Sequence, residues 1–203
     1  ISAGKILAAK LATHLDLELK NFIDRGGLVM GICNGFQVLV KYPFIPDIDG
    51  SQQYTLTENR TGRFIDRWVN VSVNEESSPI FLRGIETLKL PIRHAEGRFY
   101  AGEDALAGLE ETGGIAMQYA RPGGELAEKK FPSNPNGSEK DIAGICDPTG
   151  RIFGLMPHPE AFVHPLQEPD WQLNQRSGDL NGGGDGLKIF KNVVKYLSGG
   201  TID

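Results

Sequence analysis

The chain has 203 residues, 39% of them hydrophobic and 23% charged, with a formal net charge of −5. That is long enough for a substantial core. The acidic balance excludes a general nucleic-acid binder, and no apolar run reaches the roughly 18–20 residues of a membrane span.

Two cysteines, Cys33 and Cys146, are too few for a disulfide framework and fit a reducing, cytoplasmic setting where free thiols survive. No basic start followed by an apolar stretch marks a secretory signal. Ile6, Leu7, Leu11, Leu15, Leu19, Phe22 and Ile23 recur at helical spacing. They predict one helix from about Ala3 to Asp24, closed by Arg25-Gly26-Gly27 with glycine at the C-cap. Leu28 to Ile32 is short, apolar and bounded by glycines, which reads as a strand buried on both faces. Cys33 follows between Gly31 and Gly35, and a helix is predicted over Phe36–Tyr42.

Strand, sharp turn and helix with Cys33 at the apex is the layout of a nucleophile elbow. The glycines remove side chains that would crowd a strained turn. The helix start turns N–H groups and the positive dipole end toward the sulfur, which favours thiolate. The competing reading is a structural cysteine in a strand-to-helix turn.

Pro43, Pro46 and Gly50 then make a loop, and Gln53–Asn59 reads as extended. Strands are predicted over Arg63–Val73 and Thr87–Ile92, with Pro91 near the end of the second. The polar run Arg93–Phe99, containing His94 and Glu96, lies just past it. A helix over Glu103–Glu111 and a strand over Gly114–Tyr119 follow. Arg121–Ser138 reads as a surface loop with a strong turn signal at Asn134–Ser138. Ile142–Cys146 and Ile152–Met156 read as paired strands joined by the turn Asp147–Gly150. Pro157-His158-Pro159-Glu160 sits at a strand's carboxyl end. Leu166–Gly186 is a polar, glycine-rich excursion. The last helix, Gly186–Leu197, is predicted to pack Leu187, Phe190, Val193, Val194 and Leu197 on one face. The order helix, strand, helix predicts a doubly wound α/β sheet, with sites at the strands' carboxyl ends. No internal repeat or linker divides the chain.

A cysteine nucleophile needs a base. Of the four histidines, His14 reads as solvated on a surface helix and His164 as a loop residue without a partner. His158 is held between prolines that restrict its backbone. Glu160, two residues on, shares its side in an extended segment and can orient the ring toward the nucleophile. A metal site of His158, Glu160 and His164 is the weaker alternative, since no third histidine or cysteine has ligand spacing and Cys146 reads as core. A structural His158 stays open on these residues alone.

Gly31-Ile-Cys-Asn-Gly-Phe-Gln37 with Pro157-His-Pro-Glu160 resembles the class I (triad) glutamine amidotransferases. Leu90–Tyr100, Asn134–Ser138 leading to Asp141–Ile145, Gly154–Glu160 and Asp185–Phe190 occur in the order found in glutaminase components of phosphoribosylformylglycinamidine synthase, in purine biosynthesis. This similarity covers nearly the whole chain. It implies a flavodoxin-like three-layer α/β/α fold, with residues 1–203 as one glutaminase domain. It also implies an incomplete N-terminus: such domains begin with two strands and a Pro-Gly-Gly loop, which carries one oxyanion-hole N–H, before the segment matching Ser2-Ala3-Gly4.

The activity implied is hydrolysis of the glutamine side-chain amide through a Cys33 thioester. His158 would move protons, Glu160 would orient it, and the Asn34 N–H would face the oxyanion. Gln37 would contact the bound glutamine, and His94 and Glu96 would line the substrate pocket or partner interface. The resemblance implies no metal or cofactor in this domain. ATP and Mg²⁺ would act in the synthetase subunit that receives the ammonia, with a small accessory subunit as a further partner. Two departures stand out: Ala95 where the family usually has glycine, and a long Gln167–Gly184 segment. Two alternatives remain at this stage. One is a glutaminase of another class I amidotransferase; the other is a catalytically weak scaffold subunit of a synthetase complex.

Overall fold

The computed structural model describes residues 2–42, 54–77, 79–176 and 183–200. The loop predicted at Pro43, Pro46 and Gly50 lies outside the described residues, as does part of the 167–184 segment.

The first predicted helix forms as two, α1 (Ser2–His14) and α2 (Asp16–Asp24). They separate at Leu15, whose φ of −133° and ψ of 12° leave the helical region. Asp16 starts the second helix, pairing with Lys20 at 2.9 Å and accepting a hydrogen bond from the Tyr42 hydroxyl. Gly26, at φ 89°, ends it. Its N–H donates to Ile23 and the Gly27 N–H to Phe22, the paired C-terminal bonds that only a left-handed residue allows.

Then follow β1 (Val29–Ile32), α3 (Asn34–Lys41), β2 (Tyr54–Glu58), β3 (Ile65–Val73), β4 (Thr87–His94), β5 (Glu96–Ala101) and α4 (Glu103–Glu111). The remainder is β6 (Ile115–Ala120), β7 (Ile142–Cys146), β8 (Ile152–Leu155), the short α5 (Trp171–Arg176) and α6 (Gly186–Leu197). Six strands form one sheet in the order β1-β8-β7-β6-β3-β4, and β2 pairs with β5 separately. Among the described residues only β1 and β8 pair in parallel; β8–β7, β7–β6, β6–β3 and β3–β4 are antiparallel. The Asp147–Gly150 turn is too short for anything but a hairpin.

Beneath one face, α1, α3, α4 and the β2–β5 pair pack around Phe36, Leu39, Phe99, Ile142 and Ile152. Beneath the other, α6 packs around Leu90, Phe153, Leu155 and Ile189. This is a flavodoxin-like three-layer α/β/α arrangement, with a curled sheet. The His158 N–H, just beyond β8, donates to the Pro91 carbonyl of β4 at 2.8 Å, so the far edge returns to the first two strands.

Two expectations are corrected. Strand β1 is not buried on both faces: only Gly31 is fully buried. It stands at the sheet's end with β8 as its one strand neighbour among the described residues, so its side chains are half covered. Helix α6 is rotated from the predicted stripe. Gly186 and Ile189 are buried, and Leu187, Phe190 and Val193 of the predicted stripe are half-buried with Tyr196, while Val194 and Leu197 are each 66% exposed. Two contacts seat the helix: a Cβ on Gly186 would lie 1.9 Å from the Pro159 carbonyl oxygen, and Asn192 Nδ2 donates to the Phe81 and Arg83 carbonyls at 3.0 and 2.9 Å.

Candidate active site

The parallel register of β1 and β8 places Ile32 beside Leu155, so both strands leave the sheet at the same edge. The Cys33 N–H extends the ladder to the Leu155 carbonyl at 2.8 Å. Cys33 then turns sharply, with φ 52° and ψ −104°, a region costly for any residue with a Cβ. Its neighbours carry part of that geometry. A Cβ on Gly31 would lie 2.6 Å from the Gly35 carbonyl oxygen and from Leu39 Cδ1, whereas one on Gly35 would meet nothing within 4 Å. The steric demand expected at both glycines therefore holds at Gly31 alone.

The Cys33 sulfur is half-buried and 4.0 Å from the Arg93 carbonyl oxygen of β4. Burial pushes its pKa up and the Glu160 charge adds to this, while the Asn34 N–H at the start of α3 opposes them. The helix terminus does favour thiolate, as predicted, but desolvation outweighs it. The thiol therefore needs a base.

His158 stands nearby, its Nδ1 2.6 Å from Glu160 Oε1. A carboxylate only accepts, so Nδ1 carries a hydrogen, and in the neutral ring Nε2 holds a lone pair. That Nε2 is buried and has no hydrogen-bond partner among the described residues. The pairing does not arise from strand alternation. His158 has φ −106° and ψ 88°, and a short 3₁₀ turn over Pro159–Ala161 brings Glu160 round to it. The turn is clamped from outside, because Gly184 and Gly186 approach the Phe162 and Pro159 carbonyls too closely for any Cβ.

The polar run after the fourth predicted strand is largely strand itself. Strand β4 continues to His94 and β5 begins at Glu96. His94 is buried at 4% exposure. Its Nδ1 lies 2.9 Å from Asn59 Oδ1, and its Nε2, like that of His158, is buried without a partner. Burial, with His158 close by, pushes its pKa down to about 4. Glu96 is half-buried, and its carbonyl accepts from Gln37 Nε2 at 2.9 Å, which ties the elbow helix to β5. The side chain of Asn34 is exposed. Ala95 is exposed and has no positive φ, so its methyl is accommodated, and its carbonyl accepts from the Asn59 N–H at 2.8 Å.

Several site residues escape sequence reasoning. Asn59 donates from Nδ2 to the Arg63 and His94 carbonyls at 2.8 and 2.7 Å. Asn134, Asn136 and Ser138 are buried rather than on a surface loop. Asn136 Nδ2 donates to the Gly97 carbonyl at 2.9 Å and to the Tyr119 hydroxyl at 3.2 Å, and Ser138 Oγ accepts from the Phe99 N–H at 3.0 Å. This turn braces β5, and burial is affordable because its polar groups are paired. The Asn-Pro-Asn-Gly-Ser motif is the available signal: it carries a turn and the family resemblance, and neither says that its side chains are buried.

His164 is engaged locally, its Nδ1 accepting from the Leu166 N–H at 3.2 Å. Among the described residues no group of three or more His, Cys, Asp or Glu could hold a metal ion. A cavity of about 510 Å³ opens at the other end of the β3–β4 pair, beside Asn74, Ser77, Arg83 and Glu86. None of Cys33, His158 or Glu160 lines it. The strained elbow and the oriented histidine outrank its volume as marks of chemistry.

A cysteine elbow and a histidine–glutamate turn stand on one edge of a flavodoxin-like fold. The profile of the CobB/CobQ-like glutamine amidotransferase domain matches residues 1–197. The phosphoribosylformylglycinamidine synthase subunit PurQ of Methanococcus maripaludis is 40% identical over 205 residues, covering 97% of this chain and 75% of the relative. The Dehalococcoides mccartyi PurQ is 42% identical over 197 residues, covering 97% and 74%. Among solved structures, PurLQS from Thermotoga maritima superposes with a TM-score of 0.64 at 30% identity, over 96% of this chain and 72% of that one. The chain belongs to the CobB/CobQ-like glutamine amidotransferase family and, within it, groups with the PurQ subunits. No described helix is long and apolar enough to cross a membrane.

Proposed function

We propose that residues 1–203 act as one glutaminase domain supplying ammonia to a phosphoribosylformylglycinamidine synthase of purine biosynthesis. Cys33, His158 and Glu160 are its catalytic residues. The His158 Nε2 lone pair takes the Cys33 proton, and the thiolate attacks the glutamine Cδ. The carbonyl π bond opens to an oxyanion facing the Asn34 N–H. The intermediate collapses, the C–N bond breaks, and the protonated His158 delivers its proton to the leaving nitrogen, which departs as ammonia. A water molecule, deprotonated by the same imidazole, then cleaves the thioester to glutamate and regenerates the thiol. Glu160 holds the ring in the working tautomer and stabilises the imidazolium. Gln37 and Glu96 shape the glutamine pocket beside the elbow. This chemistry needs no metal or cofactor here. ATP and Mg²⁺ act in the synthetase partner, which consumes the ammonia and with which a small accessory subunit associates. A working thiol fits a reducing, cytoplasmic setting.

The observation that carries this reading is the His158 imidazole, tied to Glu160 at 2.6 Å with its other nitrogen buried and unpartnered, on the sheet edge that bears Cys33. The names of the relatives support the purine pathway over another amidotransferase. The expected result for Cys33→Ala is loss of glutamine hydrolysis, while synthesis by the partner from free ammonia survives. Glutamine hydrolysis at the parental rate in that variant overturns the mechanism. A glutamine analogue that alkylates Cys33 separates an enzyme from a scaffold: a folded chain that stays unlabelled favours the scaffold.

A further inference from the structure

His94 is not one of the three residues proposed for catalysis, yet its ring is the more tightly specified of the two imidazoles whose Nε2 is buried. Both amide hydrogens of Asn59 are committed, to the Arg63 and His94 carbonyls at 2.8 and 2.7 Å. The amide orientation is thereby set, and Oδ1 is left only to accept. The nitrogen 2.9 Å away, His94 Nδ1, therefore carries the hydrogen. In the neutral ring, Nε2 is then a bare lone pair. It is buried and has no partner among the described residues. The ring is also held sterically: a Cβ on Gly97 would lie 2.6 Å from His94 Nδ1 and 2.4 Å from Met156 Cε, so only glycine leaves room for this packing.

An acceptor left unsatisfied in the interior is costly, and such groups call for an explanation. The location supplies one. The Cys33 sulfur lies 4.0 Å from the carbonyl of Arg93, the residue before His94. Gln37, one helical turn beyond the cysteine, binds the carbonyl of Glu96, two residues after it. The elbow thus touches the backbone on either side of His94. Burial, with His158 close by, keeps the ring neutral, with a pKa pushed down to about 4.

Resting on the glutaminase reading above, we infer that His94 Nε2 accepts a hydrogen bond from the reacting nitrogen, first as the substrate's carboxamide –NH₂ and then as the ammonia derived from it. The amide nitrogen keeps its own two hydrogens throughout the reaction. His158 adds a third as the C–N bond breaks. One of the original two points at Nε2, so the nitrogen is held while its lone pair turns toward the incoming proton. A neutral imidazole that does not itself take a proton suits this task. It binds ammonia as NH₃, whereas a carboxylate there would favour ammonium, which is no nucleophile. Asn59 is a positioning residue, acting through the tautomer of His94.

The test compares two substrates that form the same thioester, glutamine and the γ-methyl ester of glutamate. The ester's leaving oxygen carries no hydrogen until His158 delivers one, so it gains nothing from an acceptor. Removing the acceptor with His94→Leu is expected to lower kcat/KM for glutamine about 10- to 100-fold, the scale of one buried hydrogen bond, and to change the ester by less than about threefold. Equal losses on both substrates, or no loss on glutamine, overturn the inference. Cys33→Ala is the control for the underlying reading: it must abolish turnover of both substrates. A parent inactive toward both, or a Cys33→Ala variant that stays active, sinks the glutaminase mechanism itself. Nitrogen NMR of ¹⁵N-histidine-labelled protein gives an answer independent of turnover. His94 is expected as the Nδ1–H tautomer with a free Nε2; an Nε2–H tautomer refutes the inference even where His94→Leu fails to fold.

Discussion

At the residue scale, the proposed chemistry depends on which atom carries each proton. Glu160 keeps the hydrogen of His158 on Nδ1. In Glu160→Gln a neutral carboxamide replaces the carboxylate, and when its NH₂ faces Nδ1 the ring carries its hydrogen on Nε2, which blocks deprotonation of Cys33. Glutamine turnover is expected to fall about 10²- to 10⁴-fold, the range spanned by lost acid–base catalysis and lost tautomer control. The same substitution removes a negative charge that raises the Cys33 pKa. Its alkylation by iodoacetamide at neutral pH should then be no slower than in the parent, and its pH midpoint should move downward. A variant that loses turnover and alkylation together would show that Glu160 maintains the fold of the elbow rather than the protonation of His158.

At the element scale, close packing decides which glycines matter. Gly154 in β8 lies under the ring of Phe36, where a Cβ would meet Cδ2 at 2.2 Å. Phe36 is fully buried and has nowhere to move. Gly154→Ala is expected to destabilise by about 1–3 kcal/mol through overpacking. Each kcal/mol lowers the thermal midpoint by about 2–4 °C in a domain of this size. The elbow provides an internal contrast. Gly31→Ala runs into the Gly35 carbonyl and should lower the midpoint, whereas Gly35→Ala meets nothing within 4 Å and should leave it within a degree or two. Calorimetry on the two variants side by side checks this. Equal effects would mean that the strain lies at Cys33 alone.

Across the whole molecule, the curl of the sheet brings β4 back to the carboxyl ends of β1 and β8, and His94 is buried in that seam. This has a consequence for stability. The folded-state pKa of about 4 lies below the ordinary 6.5, so between those values the unfolded chain binds more protons than the native one. Stability is fully present above about pH 6.5 and is lost as the pH falls toward 4. A displacement of about 2.5 units corresponds to about 3 kcal/mol at most. Urea titrations should show the midpoint falling across this window in the parent, with a shallower slope in His94→Leu. A parent whose stability is flat from pH 6.5 to 4 would contradict a buried neutral His94.

Much of the chain was legible without coordinates, because the signals are local. The glycines and cysteine of the elbow, the prolines around His158 and the helices at 103–111 and 186–197 each declare themselves within a dozen residues. Periodicity and backbone restriction act over that range. The sequence by itself determined which residue types could carry amide chemistry and on which strand ends they stand. Only the tertiary structure decided how they work. The partner that sets the His94 tautomer, Asn59, is 35 residues away in the chain. The Asn136 and Ser138 brace reaches 39 residues back to β5. The seat of α6 includes a close approach of Gly186 to Pro159, 27 positions away in the chain. The sign of the Cys33 pKa shift follows from burial that no helix-terminus argument contains. Desolvation, hydrogen-bond saturation and close contact depend on what surrounds an atom, and the surroundings of these atoms are assembled from segments distant in sequence.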